Sequence, residues 1–241
     1  MFTGPNIVTD GLILHLDAAN VKSYPGSGTA WYDLSGNENH CTLYNSPTFT
    51  NSTLLLDGVN DYVKSTGTLD LSGTDAVTIL YFLKLTSYGT AIKILHELST
   101  NFNGRTDSFV ASFSDNSAGQ NYEVFTSIKG NTGYNISAYD KTLVNDLAWH
   151  HHSVEHNMSR TGKESILYSD GQLSVPLTSL TNTYNNNNTG TFGNQPLYIG
   201  SRAGTQFFSP MSIGNVLLYN RALSAEEVLQ NYNATKSRFG L

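Results

Sequence analysis

Several things are scarce in this chain, and each scarcity excludes something. In 241 residues there is a single cysteine, Cys41, so no internal disulfide can form and nothing signals an oxidising compartment. No neighbour of Cys41 marks a thiolate site, and the residue reads as a small buried hydrophobe. Charged residues make up only 13% of the chain: 13 Lys and Arg stand against 19 Asp and Glu, a net charge of −6. No basic cluster exceeds a pair, whereas a nucleic-acid partner needs a basic stripe, so no nucleic acid is expected. No apolar run approaches membrane-spanning length, so no membrane partner is expected either. The opening MFTGPNIVTDGLILHLDAAN has no basic n-region, long apolar stretch or small-residue cleavage site, so no signal peptide is expected and the product is placed in a cytoplasm. Heptads, internal repeats and linkers are absent. The expectation is one domain over residues 1–241, large enough to bury its own core without disulfides or structural metal.

What the chain does have is β-forming and turn-forming material: 14 Tyr, 11 Phe, 21 Gly and many Asn, Ser and Thr. With long helical patterns missing, this predicts many short strands joined by turns. GLILHLD (11–17) alternates, with Leu12, Leu14 and Leu16 on one face. Leu54–Leu56 make a short strand, a DGVND turn follows, and Tyr62 and Val63 start the next. AVTILYFLKL (76–85) is apolar but for one Lys and predicts a strand buried on both faces. TAIKILHEL, SFVASFS, YEVFTSI, NISAY and WHHHSVEH continue at the spacing of a β-sandwich. In ILYSDGQLSV, Asp170-Gly171 predicts a type I′ hairpin. The tract Asn185–Asn188 reads as a solvent-exposed loop.

The most regular stretch is the last. Val216 to Tyr219 form a strand that should be covered on both faces, and the period then changes. Ser224 followed by Glu227 is a capping box, with Val228, Leu229 and Tyr232 behind it at helical spacing, which predicts one short C-terminal helix lying on the sheet.

Six segments taken together resemble the concanavalin A-like lectin/glucanase superfamily in its laminin G-like branch. They are GLILHLDAAN (11–20), SYPGSGTAWYDLSGNENH (23–40), LLLDGVNDYV (54–63), WHHHSVEH with LYSDGQL (149–156 and 167–173), LYIGSR (197–202) and IGNVLLYNRALSAEEVLQNYNATKSRFGL (213–241). The resemblance implies an all-β fold: a jelly-roll sandwich of two antiparallel sheets, with the N- and C-terminal strands adjacent and a short C-terminal helix. The pairing of the first two segments with the last looks like virion proteins of tailed bacteriophages. It implies a structural protein on the exterior of capsid or tail, assembled in the host cytoplasm. Its partners would be other virion proteins and a host-surface glycan, and it would be present in multiple copies or as a homo-oligomer. The alternative it leaves open is a carbohydrate-binding module or a degenerate glycoside hydrolase.

Glucanase relatives cut glycosides with carboxylates at E-x-D-x-x-E spacing, which puts them on one face of a strand. That pattern is missing around Glu123 and Glu155, and the Glu226–Glu227 pair is explained by capping, so no catalytic residue is assigned. His150, His152 and His156 share a strand face with Val154, and His-x-His can ligate a transition metal. However, the family also carries Trp-His at the start of this strand, with no metal implied, and packed or hydrogen-bonded histidines satisfy the same pattern. Many relatives hold a structural calcium, for which Asp17, Asp33, Asp57 and Asp61 offer oxygens. Asp33 and Asp57 also read as turn formers, and Asn215 stands where many relatives have an acidic residue. No metal and no cofactor is therefore assigned. Tyr24, Trp31, Tyr32, Tyr88, Tyr134 and Tyr184 lie near loops, where aromatic rings either pack on the sandwich or meet sugars, and the sequence singles out no ligand-binding residue.

Overall fold

The computed structural model describes residues 5–87, 92–100, 107–116, 120–130, 133–140, 146–160, 164–174 and 189–241. Tyr88, Tyr184 and the Asn185–Asn188 tract lie outside them.

Two eight-stranded sheets account for nearly all the regular structure. The first runs β15 (Gln172–Leu173), β14 (Ser165–Ser169), β13 (His150–Asn157), β8 (Ala76–Leu85), β18 (Pro210–Tyr219), β5 (Thr53–Asp57) and β4 (Thr48–Thr50), with β1 (Leu12–Asp17) also pairing with β18. The second runs β12 (Gly133–Asp140), β11 (Gln120–Gly130), β10 (Ser108–Asn116), β9 (Lys93–Leu98), β17 (Leu197–Ile199), β6 (Tyr62–Ser65), β3 (Cys41–Tyr44) and β2 (Ala30–Trp31). A small ladder joins β7 (Leu69–Asp70) to β16 (Asn194–Gln195). All pairings are antiparallel.

β18 organises the first sheet. It pairs with β8 along its length, while β5 and β1 share its other edge end to end, so the chain's first and last strands are neighbours. Strands flanked on both sides and covered on both faces read as continuous apolar runs. This is the pattern of β8 and β18, in each of which nine of ten residues are buried. Alternate residues face opposite ways. Val77, Ile79 and Tyr81 meet the second sheet, Tyr81 lying 5.5 Å from His96 of β9. Thr78 and Phe82 meet the C-terminal segment, with Thr78 Oγ1 donating to the Arg221 carbonyl at 2.9 Å and accepting from the Leu223 amide at 3.0 Å.

The helix α1 (Ala225–Thr235) begins at the expected capping box. The Glu227 amide donates to Ser224 Oγ at 3.3 Å, and the Glu227 carboxylate accepts from the Ser224 amide at 2.9 Å. Arg221 makes a two-toothed contact to the same carboxylate at 2.6 and 2.8 Å. The N-terminal segment crosses the helix: the Val8 amide donates to Asn231 Oδ1, and Tyr219 Oη donates to the Val8 carbonyl. A 3-10 turn, Lys236–Phe239, follows the helix and is capped by Gly240. In the hairpin between β14 and β15, Asp170 and Gly171 have φ of +49° and +77°, both positive as a type I′ turn requires.

Candidate functional site

On the outer face of the first sheet, beside the C-terminal segment, lies a cleft of about 740 Å³. Ser212 of β18, Lys84 of β8 and Thr53 of β5 line it from the sheet. Trp149, Arg238 and Phe239 line it from the C-terminal side. Ala19 and the β4–β5 hairpin complete it with Thr50, Asn51 and Ser52.

Local sequence builds each wall. Phe239 rests flat on Phe82, with ring centroids 4.5 Å apart and planes 9° apart, and lies 4.8 Å from the Trp149 ring. It can lie there because residue 214 is glycine: a Cβ at Gly214 would sit 2.2 Å from the Phe239 ring. Gly214 also falls within an irregularity of the β18–β8 register, where Asn215 Oδ1 accepts the Phe82 amide at 3.0 Å and so stands in for a ladder carbonyl. Arg238 is anchored by two hydrogen bonds to Asp17, at 2.6 and 2.8 Å. That pair separates the cleft from a second hollow of about 540 Å³ that includes Asn6, His15, Asn20 and Thr235. The hairpin tip Asn51-Ser52 has φ of +49° and +61°, a tight two-residue turn made without glycine. Trp149 immediately precedes β13 and is partly exposed, whereas the other tryptophan, Trp31, is fully buried.

The histidines separate into different environments. His152, Val154 and His156 do share a face, and it points into the sandwich. There His156 stacks on Phe109 at 4.8 Å and lies 5.8 Å from His96 of the opposite sheet. His156 Nδ1 bonds Ser165 Oγ at 2.9 Å, while neither ring nitrogen of His96 has a partner among the described residues. Burial pushes His156 down to about 3 and His96 well below its usual range. His151 faces the other way, between Phe82 and Tyr232, and burial with the neighbouring His152 lowers it to about 3. His150 leaves the row: it bonds Asp170 at 2.8 Å and Asp146 at 3.1 Å, and Asp170 above all, against the effect of burial, raises it to about 9. Among the described residues no three His, Cys, Asp or Glu side chains form a group able to hold a metal ion.

The four aspartates considered for calcium are engaged in local turns and in the Arg238 contact. Asp33 accepts from the amides of His15, Ser35 and Asn39, and Asp17 from that of Ala19 and from Arg238. At Asp57 burial opposes the charge, but the amides of Val59, Asn60 and Asp61 outweigh it and hold the carboxyl below its usual range. Asp61 accepts the Asp57 amide. Glu155 is buried and paired with Arg160 at 2.5 Å; burial raises its pKa and Arg160 pulls it back only in part. Glu123 lies on β11, in the other sheet.

Of the loop aromatics, Tyr24 packs on Phe49 at 5.1 Å and is buried, and Tyr32 is 43% exposed beside His40. Tyr134 falls on β12. Sequence reasoning missed Tyr44 and Tyr62, whose rings stack in parallel at 4.6 Å on the outer face of the second sheet. It also missed the cleft itself, because Lys84, Trp149, Ser212 and Phe239 come from distant parts of the chain.

Two antiparallel sheets packed face to face, with the chain's first and last strands paired within one of them, define a jelly-roll lectin-like sandwich. A family model described as the Concanavalin A-like lectin/glucanases superfamily, in its third laminin G-type model, matches residues 57–229, and the chain belongs to this family. No curated protein sequence matches it. Among solved structures, Trypanosoma rangeli sialidase in complex with the inhibitor DANA superposes with a TM-score of 0.65 at 14% identity, covering 96% of this chain and 34% of the sialidase. The botulinum neurotoxin serotype D binding domain superposes at 0.64 and 12% identity, covering 93% of this chain and 52% of that one. The receptor binding domain of the botulinum neurotoxin C/D mosaic serotype superposes at 0.63 and 12%, covering 93% and 51%. The chain thus spans about a third of the sialidase and half of the toxin domains, and at these identities the likeness is one of fold.

Proposed function

We propose that this protein is a non-catalytic, glycan-binding β-sandwich carried on the exterior of a virion, as a decoration or adsorption protein of capsid or tail. The observation that carries glycan binding is the cleft on the first sheet. A sugar ring offers a flat C–H face and a rim of hydroxyls. Trp149 supplies an aromatic surface for the face. Thr50, Asn51, Ser52, Thr53 and Ser212 bring donors and acceptors for the rim.

Absence of catalysis is supported by the carboxylates. Glucanase-type glycoside hydrolysis uses two of them within about 5–10 Å across the scissile bond. None of the cleft-lining residues is Asp or Glu among the described residues, and Glu155 is engaged by Arg160. The virion setting is supported by the sequence resemblance at 11–40 and 213–241. Its partners there are other capsid or tail proteins and a host-surface glycan. Display in multiple copies lets weak glycan contacts act together, because linked sites raise the effective concentration.

The test is binding to a panel of immobilised polysaccharides with the parent and Trp149→Ala. Retention of the parent, lost in the variant, is expected; equal retention of both refutes the cleft. For the setting, the protein is mapped in purified particles. Its absence from them, or its confinement to the lumen, refutes exterior display.

A further inference from the structure

The geometry points to an anionic saccharide as the ligand of this cleft, with the Lys84 ammonium as the group that selects it. This rests on the glycan-binding role proposed above and narrows it to a class of sugar.

Lys84 is the single charged residue in the ten-residue strand AVTILYFLKL, and the only position in it that is not buried. On the outer face, Thr78 and Phe82 are covered by the C-terminal segment, and Lys84 is the next residue on that face, beside Ser212 on β18. The fold does not need a cation there, since an apolar or hydroxyl-bearing side chain would satisfy the strand equally well. No ion pair engages Lys84 among the described residues. Arg238, the other cation of the cleft, is matched by Asp17 in a two-toothed contact. Among the described residues the cleft therefore presents one uncompensated positive charge and no lining carboxylate, in a chain whose net charge is −6.

Charge of this sign in a concavity, against the apolar wall of Trp149 and Phe239, attracts an anion more strongly than the same charge on open surface. A lysine ammonium is a compact point charge with three donors, which suits a carboxylate or a sulfate group on a sugar ring held against Trp149.

The test uses three immobilised probes with one backbone: dextran, carboxymethyl-dextran and dextran sulfate. The parent is expected to bind one or both anionic forms more tightly than dextran, and the better of the two identifies carboxylate or sulfate. Lys84→Gln should weaken anionic binding about tenfold and so remove the preference over dextran, while Lys84→Arg should keep it. Added salt should erode the preference in the parent and have little left to erode in Lys84→Gln. Equal binding of all three probes, binding of none, or an anionic preference that survives Lys84→Gln overturns the inference. Binding that is insensitive to Lys84 yet abolished by Trp149→Ala would overturn the charge selection alone and leave the cleft standing. Binding that survives Trp149→Ala overturns the cleft itself.

Discussion

Mild acid should destabilise this protein steeply, because its core holds neutral imidazoles. His151 and His156 are fully or almost fully buried, and burial holds both at about 3, against 6.5 for a free side chain. As the pH falls through 6.5 the unfolded chain takes up a proton at each site while the folded chain does not. The stability they preserve is complete above 6.5 and is lost progressively between 6.5 and 3. Each site loses about 1.4 kcal/mol per pH unit in that window, hence roughly 2.7 kcal/mol at about pH 4.5. Together the two lose about 5 kcal/mol, comparable with the whole net stability of a typical domain, roughly 5–15 kcal/mol. His96 acts in the same direction. His150 acts in the opposite one: raised to about 9 by Asp170 and Asp146, its contribution is complete below 6.5 and fades as the pH rises through 9, so it gives no relief in acid. Urea unfolding at a series of pH values, followed by tryptophan fluorescence and circular dichroism, measures the effect. The urea midpoint should fall sharply between about pH 6.5 and 4.5, and His156→Leu should reduce the slope by about 1.4 kcal/mol per pH unit. A midpoint that stays flat over that range would refute the buried, neutral state of these rings.

Ser224→Ala removes the hydroxyl half of the capping box and should cost about 1 kcal/mol in thermal unfolding, with Arg221 still holding Glu227. An unchanged melting temperature would show that the cap contributes nothing. Gly214→Ala sets a methyl 2.2 Å from the Phe239 ring, so Phe239 must leave Phe82; about 1–3 kcal/mol should be lost together with polysaccharide binding. Asp170→Asn removes the main partner of His150 and should flatten the alkaline side of the stability profile between about pH 6.5 and 9.

Much of the fold was legible because its signals are long or local. A ten-residue apolar run announces β8, the four apolar residues Val216–Tyr219 announce the end of β18, and a box closed within four residues announces α1. Of the strands that sequence reasoning passed over, β2, β4, β7 and β16 have two or three residues each, too few to show a period, and β3 has only four. The β4–β5 hairpin was also hidden, since its Asn51-Ser52 tip lacks the glycine that marks such turns. Alternation correctly put His152, Val154 and His156 on one face, but only the partner sheet, with His96 and Phe109, makes that face the interior. The cleft was illegible for a similar reason. Lys84, Trp149 and Phe239 meet only once β8, β13 and the last turn are stacked, and Gly214, which admits Phe239, reads in sequence as an ordinary strand glycine.

Of the two tryptophans, Trp149 lines the cleft and Trp31 is buried, so the Trp149 indole N–H serves as a probe of the cleft. Titrating the protein with fragments of the polysaccharide it retains best, and following amide and indole shifts by NMR, tests the account at its centre. The predicted result is a saturable shift of the Trp149 indole with concerted changes at Asn51, Ser52, Ser212 and Phe239. Saturable shifts confined to Tyr44 and Tyr62 on the opposite sheet, with Trp149 unmoved, would contradict it.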